Sequence, residues 1–496
     1  MLARTAAALL SVQAITWLSS IIAIVVIPRR LGATELGLLT AITMLCTIMG
    51  RVAGLGMTQD LVRQVARDRS QANRIAADAI AWRLLAGVAI TVAIALGMRA
   101  WGVTTLTLGI FLLVAVTSLA YLVQEVCTSC MQGNYTLGRV AAVTGTVALV
   151  TQAAVATSVL MGGGALHVAC WGAAGGVTSA LLALLVFSRQ FSFPRFIRRP
   201  GVAVVRSGMP FFSWEVSLLI YGSIDTLMLT LFADNETVGN YALAFRISSI
   251  PIFIAVVITS TIYPALSQAH AEGRRSWFAD ALTRASGLTI LATLPIAIGI
   301  AVESNALIDI TGGSEGYTSS ALLLAILVMH LPFAAFDTLQ GTSLFARDRQ
   351  MVLAIAAWGA VGVNVAGNLA AMPLAEHFWG NAAIGCALMK LATELYMFGL
   401  ILYFVRGTLI PAQLLGWLVR AVALSAAVVA ALELANPFGI FVAIPVAGLV
   451  YLGLGYLVAG RTLLRSHEPP PSEFEPDPVA PPATAVQPAI NDPAVE

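Results

Sequence analysis

Charge is what this chain has least of. Asp, Glu, Lys and Arg together make up 10% of its residues, against roughly 25% in a soluble domain. A single lysine, Lys390, occurs in the whole sequence. Cysteine is scarce as well, with five residues at 46, 127, 130, 170 and 386, all within or at the ends of apolar stretches. Cys127 and Cys130 form a CxxC at helical spacing, but no second pair and no nearby histidine accompanies them. They read as small buried residues rather than as a metal or redox site. No phosphate-cradling GxxxxGK[ST] is present, so ATP hydrolysis by this chain is not expected. The connections between apolar stretches are too short to hold a soluble catalytic domain, and the chain is not expected to be an enzyme. A formal net charge of +2 carries no argument for nucleic acid, and no such partner is expected.

What the chain has in abundance is hydrophobic sequence, 58% of all residues. A membrane span needs ~20 apolar residues, and fourteen stretches qualify. They are Ala6–Ile27, Leu36–Met57, Ala77–Met98, Leu106–Cys127, Val140–Met161, Ala165–Phe187 and Phe211–Phe232. Asn240–Ile262, Leu282–Val302, Ser319–Leu339, Met351–Met372, Ala382–Val405, Leu414–Leu434 and Phe438–Val458 follow. These runs are apolar on every face, which predicts helices; a barrel strand would alternate with polar residues. The expected fold class is therefore an all-α integral membrane protein. The first stretch follows a basic residue, Arg4, in the manner of a signal peptide. Its apolar run is too long for one and no small-x-small cleavage site follows, so it reads as a retained span.

Placing the N-terminus in the cytoplasm puts Arg67, Arg69, Arg74, Arg139, Arg189, Arg198, Arg199, Arg274, Arg275, Arg347 and Arg406 on the inner side. The outer side then holds only Arg29, Arg30 and Arg99 and is otherwise acidic, with Glu35, Asp234, Glu236, Glu303 and Glu376 among its residues. This positive-inside pattern predicts both termini in the cytoplasm. Two amphipathic connections, Thr58–Ala76 and Pro264–Arg284, and a basic linker at 188–207 interrupt the spans. The expected organisation is a six-helix bundle over 1–187, the linker, a second bundle over 208–405 and two extra helices over 406–460. A proline-rich acidic tail over 461–496 reads as disordered.

The two halves echo each other at an offset of 202 residues. ATELGLLTAI from Ala33 stands over NETVGNYALA from Asn235, with Gly37 over Gly239, and Ala77-Asp78-Ala79 stands over Ala279-Asp280-Ala281. A parallel repeat of this kind implies two bundles around an axis along the membrane normal, with a cavity between them.

Two regions carry a family resemblance. PRRLGATELGLLTAI from Pro28, with GLGMTQDLVRQVARD from Gly54, resembles the start of Wzx-type polysaccharide flippases. So, more specifically, does YGSIDTLMLTLFADNETVGNYALAFRISS from Tyr221 with IYPALSQAHAEG from Ile262. The resemblance covers about residues 1 to 460 and belongs to the multidrug/oligosaccharidyl-lipid/polysaccharide (MOP) exporter superfamily. It implies flipping of an undecaprenyl-pyrophosphate-linked oligosaccharide across the bacterial inner membrane by alternating access. No cofactor is implied, although coupling to H+ or Na+ is; membrane lipid, a polysaccharide polymerase and glycosyltransferases are the implied partners. A cation-coupled drug or metabolite antiporter of the same fold and a lipid II flippase are the alternatives. A scaffold role through the proline-rich tail is a third.

A charge at mid-bilayer costs at least ~2.5 kcal/mol, so it faces a partner or a wet cavity. Lys390 lies near the middle of the twelfth span, with Glu394 one turn further on the same face, a spacing that permits an ion pair. Together they are either a self-neutralising pair or a cationic site for pyrophosphate or an acidic sugar. Asp225 and Arg246 flank the tight turn at Asn235 at matching depth and are expected to pair, as a structural link or as part of substrate or cation coupling. His330, beside Pro332, is either a satisfied core residue or part of a proton-coupled step. Arg51 either snorkels to the inner surface or meets a pyrophosphate as it enters. Arg83, Glu125, Glu215, Asp337 and Arg420 read as interfacial anchors, and Pro251, Pro295 and Pro332 as kinks and candidate hinges.

Overall fold

The computed structural model describes residues 2–134, 136–191, 202–312, 317–347 and 349–465, all of them helix or short connection. Residues 192–201 of the basic linker and 466–496 of the proline-rich tail lie outside the described residues, and 461–465 are the end of the last helix. The first half contains α1 (Leu2–Gly54), α2 (Met57–Arg67), α3 (Ala72–Ala100), α4 (Thr105–Gly133), α5 (Leu137–Leu160) and α6 (Ala165–Phe191). The second contains α7 (Ala203–Phe232), α8 (Asn235–Ser249), α9 (Phe253–Ala271), α10 (Arg275–Val302), α11 (Ser304–Thr311), α12 (Ser320–Val328), α13 (Leu331–Phe345), α14 (Gln350–Trp379) and α15 (Ala382–Val405). Two more, α16 (Pro411–Ala435) and α17 (Ile440–Arg465), close the described chain.

Twelve helical stretches among the described residues are long and apolar enough to cross a membrane. The apolar part of α7, Leu219–Phe232, is shorter. Large apolar side chains stay exposed on the outside, Phe441 at 80% and Leu457 at 72%. Only a hydrocarbon solvent makes that surface stable, and the chain is a multi-pass membrane protein.

Where the sequence suggests two spans separated by residues 28–35, the helix of α1 runs on and turns at Gly32. Gly32 has φ 77° and ψ 171°, a conformation an L side chain rarely adopts, so glycine makes the bend. The prolines act unequally. Pro251 sits in a three-residue 3-10 turn between α8 and α9, and Pro332 begins α13 just past the Met329–His330 break from α12. Pro295 lies inside an unbroken α10. The connection at 58–76 contains the separate amphipathic helix α2, with Met57, Leu61 and Val65 buried along one face. Its counterpart at 264–284 is instead the end of α9 and the start of α10.

The first half packs α4 against α6, and α5 against both α6 and α1; the second packs α14 against α15 and α10 against α13 and α16. One apolar core joins the halves, running from Ile27 and Leu36 through Tyr241 and Leu327 to Ala387. Its tightest point is the crossing of α1 and α8. A Cβ on Gly37 would stand 1.6 Å from the Asn235 carbonyl oxygen, and one on Gly239 would stand 1.9 Å from that of Ala33. Residue 33 is to 235 as 37 is to 239, so the contact is reciprocal at the 202-residue offset. A two-fold axis through the crossing would produce such a contact. Beside it the Tyr317 hydroxyl donates to the Pro28 carbonyl at 3.1 Å, and the backbone N–H of Ala165 donates to Glu35 at 2.8 Å.

Candidate functional site

Three helices of the second half carry polar pairs at i,i+4 spacing, which puts each pair on one face. They are Tyr221 and Asp225 on α7, Asn364 and Asn368 on α14, and Lys390 and Glu394 on α15. Asp225, Lys390, Glu394 and both asparagines are buried. Their side chains converge. Lys390 Nζ is 3.4 Å from Glu394 Oε1 and 3.7 Å from Asp225 Oδ2, so one ammonium bridges carboxylates of two helices. The other Asp225 oxygen accepts hydrogen bonds from Asn364 Nδ2 at 2.8 Å and Asn368 Nδ2 at 3.2 Å. Asn364 also donates to the Thr393 hydroxyl at 3.0 Å, and Asn368 to Asn364 Oδ1 at 2.8 Å. The ammonium lies 4.9 Å from the centre of the Tyr221 ring, a cation–π distance.

The expected pair of Asp225 with Arg246 does not form. Arg246 instead lines a cavity of about 430 Å³ whose other lining residues all come from the first half. Facing it there are Thr43, Thr117, Tyr121, Thr151 and Gln152, all uncharged. Arg246 has no ion pair among the described residues. Arg51, at the end of α1, is exposed and lines a second cavity of about 410 Å³ with Thr47, Tyr121, Gln124 and Glu125. Tyr121 borders both spaces, and a third of about 350 Å³ as well.

His330 sits at the helix break, with Nδ1 against the Leu327 carbonyl and its ring stacked 6.4 Å from that of Phe245, the neighbour of Arg246. Two residues expected at the membrane interface are interior instead. Arg83 is wholly buried, bonded to Glu125 at 3.0 Å and to the Thr58 hydroxyl at 2.9 Å. Asp337 is buried, with neither carboxylate oxygen hydrogen-bonded. Counting residues from a span end gives depth but not which face looks inward, and both are on inward faces. Asn364, Asn368 and Thr393 escape a search for stranded charges because they are neutral. Two asparagines one turn apart in an otherwise apolar span were the available signal.

Residues 2–270, more than half of the chain, match the model of the family described as polysaccharide biosynthesis protein. The chain belongs to that family. The probable low-salt glycan biosynthesis flippase Agl15 of Haloferax volcanii is 24% identical to it over 216 residues, or 42% of this chain. The match spans less than half, 46%, of that relative's length. Solved structures extend the likeness of fold to most of the chain. A lipid II flippase, MurJ, in an inward closed conformation superposes with a TM-score of 0.75 at 15% identity, over 92% of this chain and 100% of that one. An inward-facing multidrug resistance MATE family transporter of the MOP superfamily gives 0.62 at 14% identity, over 81% and 94%. The fold is that of MOP-superfamily transporters. These relatives are named for moving molecules across membranes, not for converting them.

Proposed function

We propose that this protein flips an oligosaccharide linked to undecaprenyl pyrophosphate across the bacterial inner membrane by alternating access, for surface polysaccharide assembly. The observation that carries the reading is Arg246. A guanidinium inside the membrane with no carboxylate to pair with among the described residues needs water or an anionic ligand. Its planar fork of donors suits a phosphate. Opposite it stands a wall of hydroxyl and amide side chains of the kind that hydrogen-bonds sugar hydroxyls. Arg51, with no ion pair among the described residues, supplies a second cation on a cavity bordered by the same tyrosine. The Glu125 carboxylate there is tied to Arg83.

A cation-coupled drug antiporter of the same fold is the second reading. A cationic drug would call for an acidic cavity; in the two cavities that Arg51 and Arg246 line, the charges without an ion pair among the described residues are those arginines, which favours an anionic lipid headgroup. The arginine distribution supports a cytoplasmic location for both termini, and the polymerase and glycosyltransferases that act on the same glycan are the expected partners. Deleting the gene and restoring it with wild type or with Arg246→Ala tests the reading. Surface glycan should return with wild type and stay depleted with Arg246→Ala at equal protein level. Normal glycan in the deletion strain would remove the reading. Ion-dependent drug resistance in expressing cells would support the antiporter instead.

A further inference from the structure

Between α4 and α5 the first half leaves a cleft that is polar but carries no charge among the described residues lining it. Both helices pack on α6, which contributes Gly175 and Ser179 to a cavity of about 350 Å³. That volume falls within the ~300–1,000 Å³ range of small-molecule sites. The lining runs from Ala141 to Gln152, about 16 Å along α5. The cleft shares walls with both arginine cavities. Thr151 and Gln152 also line the space of Arg246, and Gln124 and Thr128 that of Arg51. A headgroup held at Arg246 therefore has the mouth of the cleft beside it.

The polar groups of the cleft are mostly acceptors. The hydroxyls of Thr128, Thr144 and Thr151 donate to carbonyls one turn back on their own helices, at 2.9, 2.9 and 2.8 Å. A hydroxyl has one proton and two lone pairs, so each of these is left with an oxygen that can only accept. Gln124 Oε1 is buried and has no hydrogen-bond partner among the described residues. Gly175 gives the Thr151 hydroxyl its room, because a Cβ there would stand 2.0 Å from it. Such a surface suits a neutral ligand with many O–H groups to donate. An ionised carboxylate would face the lone pairs of the threonines and of Gln124. An ammonium would find acceptors but no counter-charge. Either ion would lose its hydration without a replacement.

We propose that this cleft is a sugar subsite that selects neutral, hydroxyl-bearing units of the transported glycan over uronic-acid units. The inference rests on the flippase reading for the identity of the cargo. Arg246 takes the anionic headgroup, and the sugars next to it donate their hydroxyls to Thr151, Thr144, Thr128 and Gln124 in turn. Charge is read at the arginine and hydroxyl content in the cleft.

Binding of three probes to the purified full-length protein in nanodiscs tests the site. They are bare undecaprenyl pyrophosphate, the same lipid carrying a glucose disaccharide, and the same lipid carrying a disaccharide of glucuronic acid. The readout is the affinity for each glycolipid relative to the bare lipid on the same protein. On wild type the neutral disaccharide should raise affinity about tenfold, as a few net hydrogen bonds would, and the acidic one should not raise it. Thr144→Val, which keeps the shape of the side chain, and Gln124→Leu should each cut the neutral gain about threefold or more. No neutral gain on wild type, an acidic probe bound as tightly as the neutral one, or a gain untouched in both variants overturns the proposal. The flippase reading survives those results, because the bare lipid still binds. Binding of none of the three probes sinks the flippase reading and the subsite with it, so the two failures are told apart.

Discussion

Lys390→Met isolates what the lone lysine does, because the substitution keeps an unbranched side chain only one atom shorter and removes its charge. The ammonium lies 3.4 Å from Glu394 and 3.7 Å from Asp225. At an effective dielectric of ~20 each attraction is worth about 4–5 kcal/mol before desolvation is counted. Taking one partner from a buried pair costs ~3–5 kcal/mol, because the abandoned charges stay buried. The loss should therefore be large, and it should be reversible by design. Lys390→Met combined with Asp225→Asn and Glu394→Gln leaves no uncompensated charge and should recover most of it. The assay is the thermal midpoint of the purified protein in detergent, followed by fluorescence-detected size exclusion, for the single, double and triple variants. A midpoint for Lys390→Met equal to wild type would refute the reasoning, as would a triple variant no more stable than the single one.

Two further perturbations test the frame around the site. Gly37→Ala and Gly239→Ala each drive a methyl into backbone at the α1–α8 crossing, at a cost of at least ~1–3 kcal/mol. Each should expose the crossing to a thiol reagent, read on a cysteine placed at Ala33, and by a similar amount because the contact is reciprocal; protection equal to wild type in both would break the argument. Asp234 caps α8 by accepting the Thr237 N–H at 2.8 Å, and the bonds from Thr237 hold its carboxyl below the usual aspartate range. A group with a depressed folded value stabilises above its unfolded value of ~3.9, and that stability is lost as pH falls through the folded one. Asp234→Ala should thus cost ~1 kcal/mol at neutral pH and progressively less in acid, measured as the gap between the two thermal midpoints across pH.

Most spans were legible because hydrocarbon solvent imposes a simple rule on composition: of the fourteen expected, twelve reappear as long apolar helices among the described residues, while Phe211–Phe232 keeps only the shorter apolar stretch Leu219–Phe232. Lys390 with Glu394 was legible because i,i+4 spacing fixes a shared face within one helix. The offset aligned Gly37 with Gly239 in the sequence, but their reciprocal backbone contact appears only in the structure. Reasoning failed where it had to cross between helices. Equal depth of Asp225 and Arg246 suggested a pair, but depth does not fix the rotation of α8. The true partners of Asp225 come from α14 and α15, well over a hundred residues away. Rotation also hid Asp337 and Arg83, whose distance from a span end suggested an interface while their faces look inward.

The central claim, that Arg246 holds the anionic headgroup of a lipid-linked glycan in the cavity between the halves, has one direct test. Proteoliposomes are loaded with a diphosphate-linked oligosaccharide lipid in both leaflets and treated with an external glycosidase. Wild-type protein should bring the inner-leaflet glycan within reach of the enzyme, so that nearly all is cleaved. Arg246→Ala should leave the inner-leaflet fraction protected, as in protein-free liposomes. Cleavage in the Arg246→Ala liposomes equal to wild type, or protection in the wild-type liposomes themselves, would contradict the account.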